Sequence, residues 1–201
     1  GFDYTYDKRL YDRLQSSDAR SVRDHLRADL EYQRKSVRFL ENHDEPRAAA
    51  AFPPDRHRAA AILAFLSPGL RFFHQGQFAG RKKRVPVHLC REPEERTDPA
   101  VEEFYRRLFA CLRLPAFRDG EWRPLDCSPA WEGNPSHDGY IAFAWEGEGE
   151  RYLVAVNYAP DRGQCYVPLP WADLAGKGVR LRDLMGPAAY DRDGQSLLAP
   201  G

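Results

Sequence analysis

The residues best suited to chemistry cluster in the run FLENHDEPR, which places Glu41, Asn42, His43, Asp44, Glu45 and Arg47 directly after a short apolar stretch. An ionised aspartate can stabilise positive charge at a reacting centre or hold hydroxyl groups, and a neighbouring imidazole can donate a hydrogen bond to the same ligand. Such chemistry suits a sugar. A second polar tip, His74 to Gln77, follows the apolar run LRFF, and Gly76 permits close backbone approach. The same residues also fit a plainer arrangement. Asp44, Glu45 and Arg47 can form a solvated ion-pair network worth only ~0–1 kcal/mol per pair, with His43 capping a carbonyl. His74 can equally be a structural histidine. His43, Asp44, His57 and His74 lack the spacing of a metal site, so neither a metal nor a cofactor is implied.

The elements that must position these residues read as alternating strand and helix. Aromatics at Phe2, Tyr4, Tyr6 and Tyr11 suggest a short buried strand, followed by an amphipathic helix over about Ser17 to Tyr32 with Ser17 or Asp18 as its cap. VRFLEN then reads as a strand, Asp55 to Leu66 as a helix closed by Ser67, Pro68 and Gly69, and LRFF as a further strand. A helix with Val101, Phe104, Tyr105, Leu108 and Cys111 on its apolar face spans about Pro99 to Leu112. Repeated strand and helix units imply parallel strands with helices outside, and polar residues at the carboxyl ends of such strands are well placed for a site. Strand alternation would send Leu40, Asn42 and Asp44 one way and Phe39, Glu41 and His43 the other, with Asp44 pointing inward and the loop breaking the pattern near His43.

After Pro115 the rhythm changes to EWRPL, GYIAFAWEG, RYLVAVNYA and QCYVPLP, separated by Gly, Asp, Pro and Asn. This composition implies an antiparallel region with a hairpin around Gly147 and Gly149, and divides the chain into residues 1–114 and 115–201. Trp122, Trp131, Trp145 and Trp171 all lie in the second part, where they can pack in a core or stack on sugars.

Composition excludes several classes. Thirty basic and 30 acidic side chains among 201 residues cancel, which disfavours a nucleic-acid module, and the basic run GRKKR is followed at once by Glu92, Glu94 and Glu95. With 42% hydrophobic residues the chain has material for a core. No run approaches the ~20 apolar residues of a membrane span. Cys90, Cys111, Cys127 and Cys165 are far apart in sequence, so the expectation is unpaired thiols in a reducing, cytoplasmic setting. There is no GxGxxG, phosphate-binding loop or GxSxG turn.

FLENHDEPR, the helix after it, GLRFFHQGQ and the terminal sheet region together closely resemble the barrel end and C-terminal domain of the alpha-amylase family of glycoside hydrolases. The resemblance spans essentially the whole chain. Phe39 to Arg47 is similar to the family's fourth signature region at the seventh barrel strand, GLRFFHQGQ to the eighth strand, and GFDYTYDKRLYDRL to the sixth-strand region. It implies late strands of an incomplete TIM (β/α)8 barrel followed by an antiparallel β sandwich. Asp44 would be the transition-state stabiliser, with His43, Asn42, Arg47, His74 and Gln77 around the substrate. The partner molecules would be an alpha-glucan or oligosaccharide and the N-terminal part of the same barrel. The family's nucleophilic Asp and acid/base Glu belong to earlier strands and map to no residue here, so the expectation is a retaining α-glycosidase fragment, inactive alone. A transglycosylase or a noncatalytic carbohydrate-binding domain are the alternatives.

Overall fold

The computed structural model describes residues 1–86, 88 and 91–201. Cys90 therefore lies outside the described residues. Three short strands, β1 (Thr5–Tyr6), β2 (Ser36–Arg38) and β3 (Leu70–Arg71), form a parallel sheet in the order β1-β2-β3. Parallel neighbours need long crossovers. Here these are helices α1 (Lys8–Ser16), α2 (Ala19–Leu26) and α3 (Leu30–Arg34) between β1 and β2, then α4 (Ala48–Ala51) and α5 (Pro54–Leu66) between β2 and β3. The parallel strands expected from VRFLEN and LRFF are thus neighbours, although the ladders are shorter than the apolar runs. Phe39 and Leu40 continue into the core beyond β2.

The single helix expected over Ser17 to Tyr32 is two, with α1 in front of them. Three aspartates mark the starts. Asp7 Oδ1 accepts the Leu10 N–H at 3.0 Å, Asp18 Oδ1 that of Ser21 at 2.8 Å, and Asp29 Oδ1 those of Glu31 and Tyr32 at 2.8 and 3.2 Å. A short acidic side chain satisfies backbone donors better at a cap than inside a helix, so the chain breaks between α2 and α3.

On the helix side of β2 lies Arg38, fully buried. Its guanidinium is bound to Asp7 and to the Gln33 side chain, and its Nε donates to Pro68 O at 2.8 Å. Asp7 Oδ2 also lies 2.8 Å from His25 Nε2. Burial alone would raise the Asp7 carboxyl, but the His25 hydrogen bond, the Arg38 and His25 charges and the Leu10 N–H outweigh it and hold it below the usual carboxylate value. This network pins α1, α2 and α3 to the strand.

Helices α6 (Pro99–Leu112), as expected, and α7 (Ala116–Asp119) lead into the antiparallel region. There β4 (Glu121–Leu125), β6 (Tyr140–Gly147) and β7 (Glu150–Asn157) pair in the order β4-β6-β7; β5 (Ser128–Pro129) pairs with β8 (Cys165–Tyr166), and β9 (Gly178–Arg182) with β10 (Ala189–Asp193). The β6–β7 turn is the expected hairpin: Gly147 faces Glu150, and Glu148 and Gly149 have φ of 54° and 78°, as a two-residue primed turn requires. Rather than one broad sandwich, these are three small sheets, the largest covered on both faces. Ile141, Phe143 and Trp145 join the core under the helices, while Ala142 and Ala144 face a second cluster with Leu169, Trp171 and Leu197 from helix α8 (Gly194–Leu198). Trp145 Nε1 donates to Leu66 O, the last carbonyl of α5, at 2.7 Å. The main core therefore runs across residue 115 from Leu10 to Tyr158.

The parallel sheet is open. Neither β1 nor β3 has a second neighbour among the described residues. Phe2, 91% exposed, and Tyr4, Tyr6 and Leu70 lie uncovered beside those edges, so β1 is exposed rather than buried as its aromatics suggest. No described helix is long and apolar enough to cross a membrane.

Candidate functional site

The loop after β2 is built on Glu41. Its carboxylate is fully buried: Oε1 accepts Arg47 Nη1 at 2.6 Å and Oε2 accepts the Ala48 N–H at 2.7 Å. A charge continuing the buried strand must find a partner nearby, and Arg47 supplies it. Arg47 Nη1 also donates to Gln75 O at 2.6 Å and lies 2.9 Å from His74 Nδ1, while Nε donates to Lys83 O at 3.2 Å. One guanidinium thus ties the loop after β2 to the loop after β3.

Asn42 shapes the tip. Its Oδ1 accepts the backbone N–H groups of Asp44 at 2.8 Å and Glu45 at 2.9 Å, an Asx turn that lifts the two residues between them out of the fold. His43 and Asp44 side chains are 55% and 74% exposed, with His43 Nε2 3.3 Å from Asp44 Oδ2. The alternation that would point Asp44 inward does not hold: Asp44 is exposed like His43, and Glu41 and Asn42 are both buried, because the Asx turn ends the strand geometry at Asn42. Arg84 Nη2 donates to His43 O at 3.0 Å, and Lys8 Nζ reaches Glu45 Oε1 at 3.2 Å.

His74 stands beside the buried Glu41–Arg47 pair with about a third of its side chain exposed. Gln77 is directed elsewhere. It is buried, its Nε2 donating to Tyr105 Oη at 2.8 Å and its Oε1 accepting the His74 N–H at 3.3 Å. Tyr105 Oη in turn lies 3.0 Å from His57 Nε2. Burial, followed by the Arg58 charge, pushes His57 down to about 4, so the imidazole beside the tyrosine hydroxyl is neutral.

Of the six residues singled out in the sequence, Asp44, His43 and His74 present polar atoms to solvent at the carboxyl ends of β2 and β3. Asn42, Arg47 and Gln77 are buried and hold the backbone that presents them. Glu41, Tyr105 and His57 complete that scaffold. The signal for Glu41 was its place in register with buried Phe39, followed by a basic residue within one loop.

Other features do not converge on this tip. A hollow of about 570 Å³, lined by Tyr4, Arg34, Gly69, Arg71 and Trp122, opens at the amino ends of the same strands, away from Asp44. Trp122, Trp145 and Trp171 are buried, leaving Trp131, 55% exposed, as the tryptophan on the surface. The basic run is held by acidic side chains, the Glu95 carboxylate accepting the backbone N–H groups of Lys82 and Lys83 and Glu92 pairing with Arg81. Among the described residues no group of three or more His, Cys, Asp or Glu could hold a metal ion.

No protein-family model matches the chain, and no curated protein matches it. Solved structures do. A maltogenic alpha-amylase from Thermotoga neapolitana superposes with a TM-score of 0.70 at 21% identity over 94% of this chain and 46% of its own. An alpha-amylase from Lactobacillus plantarum gives 0.62 at 20% identity over 96% and 46%. The chain thus spans a little under half the length of either. What it shares with that part of two alpha-amylases is the fold, a run of parallel barrel-type strands followed by an antiparallel β region.

Proposed function

We propose that these residues are the late barrel strands and C-terminal β region of a retaining α-glycoside hydrolase acting on alpha-glucan or related α-glucosides. The single observation that carries this reading is the exposed His43–Asp44 pair in the loop after β2, on a fold shared with two alpha-amylases. In such a reaction positive charge develops on the sugar ring as the glycosidic bond breaks. The Asp44 carboxylate would face that charge, and the His43 and His74 N–H groups would bind sugar hydroxyls. Asn42, Arg47 and Glu41 hold these groups still, which matters because an electrostatic stabiliser acts by being in place before the charge appears. The nucleophile and the acid/base would come from a preceding half barrel docked on the open edges of β1 and β3.

The test compares this chain with a polypeptide in which that half barrel precedes it. Residues 1–201 alone should release no reducing sugar from soluble starch, whereas the completed polypeptide should. Growth of longer oligosaccharides in place of free sugar would assign transfer rather than hydrolysis. Starch cleavage by residues 1–201 alone, or no sugar chemistry from the completed polypeptide, would overturn the proposal.

A further inference from the structure

Cys127 directly precedes β5 and Cys165 opens β8, the strand that β5 pairs with. Pro129 faces Cys165 and Ser128 faces Tyr166, so the two cysteines are diagonal neighbours across the ladder. Each thiol bears on the other's ionisation, as side chains on one face of the ladder should. Both are part-exposed, and Cys165 lines a surface hollow of about 450 Å³ with Trp131, Tyr140 and Tyr166. Cys127 packs on the second hydrophobic cluster. Cys111 differs, being buried with its Sγ 3.8 Å from Met185 Sδ.

We propose that Cys127 and Cys165 are a modification site, closing to a disulfide across the β5–β8 ladder when a small-molecule disulfide serves as oxidant. Cys165, reachable from the hollow, attacks one sulfur of the oxidant as its thiolate, breaking the oxidant's S–S bond, releasing one small thiol and leaving a mixed disulfide. The Cys127 thiolate then attacks the Cys165 sulfur, forming the protein S–S bond and releasing the second small thiol. The oxidant leaves as two thiols, each taking up a proton, and the protein has lost two thiol protons. Diagonal partners, ~7–8 Å apart, lie just beyond the usual span of a disulfide, so closure requires the backbone of this two-residue ladder to shift. Burial raises both thiols, Cys127 to about 12, so the reaction should accelerate as pH rises from 7 to 9.

The experiment exposes residues 1–201, carrying Cys90→Ser, to excess oxidised glutathione at pH 8.5 and maps peptides without reduction. A disulfide joining tryptic peptides 119–151 and 163–177, reversed by dithiothreitol and absent from Cys127→Ser and Cys165→Ser variants, is the expected result. The bridge closes a loop containing β6 and β7, so the oxidised form should melt several degrees higher. Two separate glutathione adducts, unmodified thiols, or linkage only in denaturant would overturn the proposal. So would the same bridge accompanied by a lower melting temperature.

Discussion

Removing Glu41 should cost far more stability than its place in a polar loop suggests. Its carboxylate and the Arg47 guanidinium are both almost inaccessible, 2.6 Å apart, and Oε2 also satisfies the Ala48 N–H. Deleting one partner of a buried pair typically costs ~3–5 kcal/mol, because the other charge stays behind without compensation. In Glu41→Ala, Arg47 keeps the Gln75 and Lys83 carbonyls, which places the loss at the lower end, about 3 kcal/mol. At ~2–4 °C per kcal/mol for a chain of this size, the melting temperature should fall by roughly 6–12 °C. Thermal and urea unfolding followed by tryptophan fluorescence would measure it. Glu41→Ala/Arg47→Met should recover part of the loss, since it removes the stranded cation. A Glu41→Ala cost below ~1 kcal/mol, or a double variant with no recovery over the single, would refute the reasoning.

Three further outcomes follow from the same structure. His57, near 4 in the fold against an ordinary 6.5, resists protonation, so its contribution is complete above pH 6.5 and is lost as pH falls towards 4, by about 3 kcal/mol in all; His57→Gln should flatten that part of the stability–pH curve, and an unchanged slope would contradict it. Gly69 has φ of +127°, and a Cβ there would collide with Ser36 O and lie 2.9 Å from Gln33 O. Gly69→Ala should therefore lose at least ~1–3 kcal/mol in urea unfolding, and a neutral result would contradict the β2–β3 geometry. With two open strand edges, residues 1–201 alone should self-associate in sedimentation velocity, whereas a monodisperse monomer that unfolds cooperatively would contradict the docking role given to those edges.

Local signals carried much of this architecture. Asp18 as a cap, the helix from Pro99 to Leu112 and the Gly147–Glu150 hairpin all rest on neighbours within a few residues, and each is where its sequence implies. Long-range partners were not legible. Arg38 interrupts the run VRFLEN yet is fully buried, because Asp7, far away in sequence, returns beside it at the end of β1. FLENHDEPR shows the same limit within one motif: its composition marks a site, but Glu41 and Arg47 turn inward because they face each other, while Asn42 uses its side chain to expose His43 and Asp44. Gln77 reads as a second ligand group until Tyr105, brought over by α6, captures its amide. The tryptophans were ambiguous between packing and display, and three of the four pack.

The most direct test of the proposed chemistry is Asp44→Asn in a polypeptide that carries the preceding half barrel, with turnover and unfolding measured on the same preparation. Asp44 is largely exposed and its side chain props up no other element, so the melting temperature should stay within the small range of surface substitutions. Turnover of starch should fall by ~10²–10³-fold, the usual loss when one preorganised electrostatic stabiliser is removed. Turnover that survives unchanged, or a loss of activity that merely follows a loss of fold, would contradict the role assigned to this carboxylate.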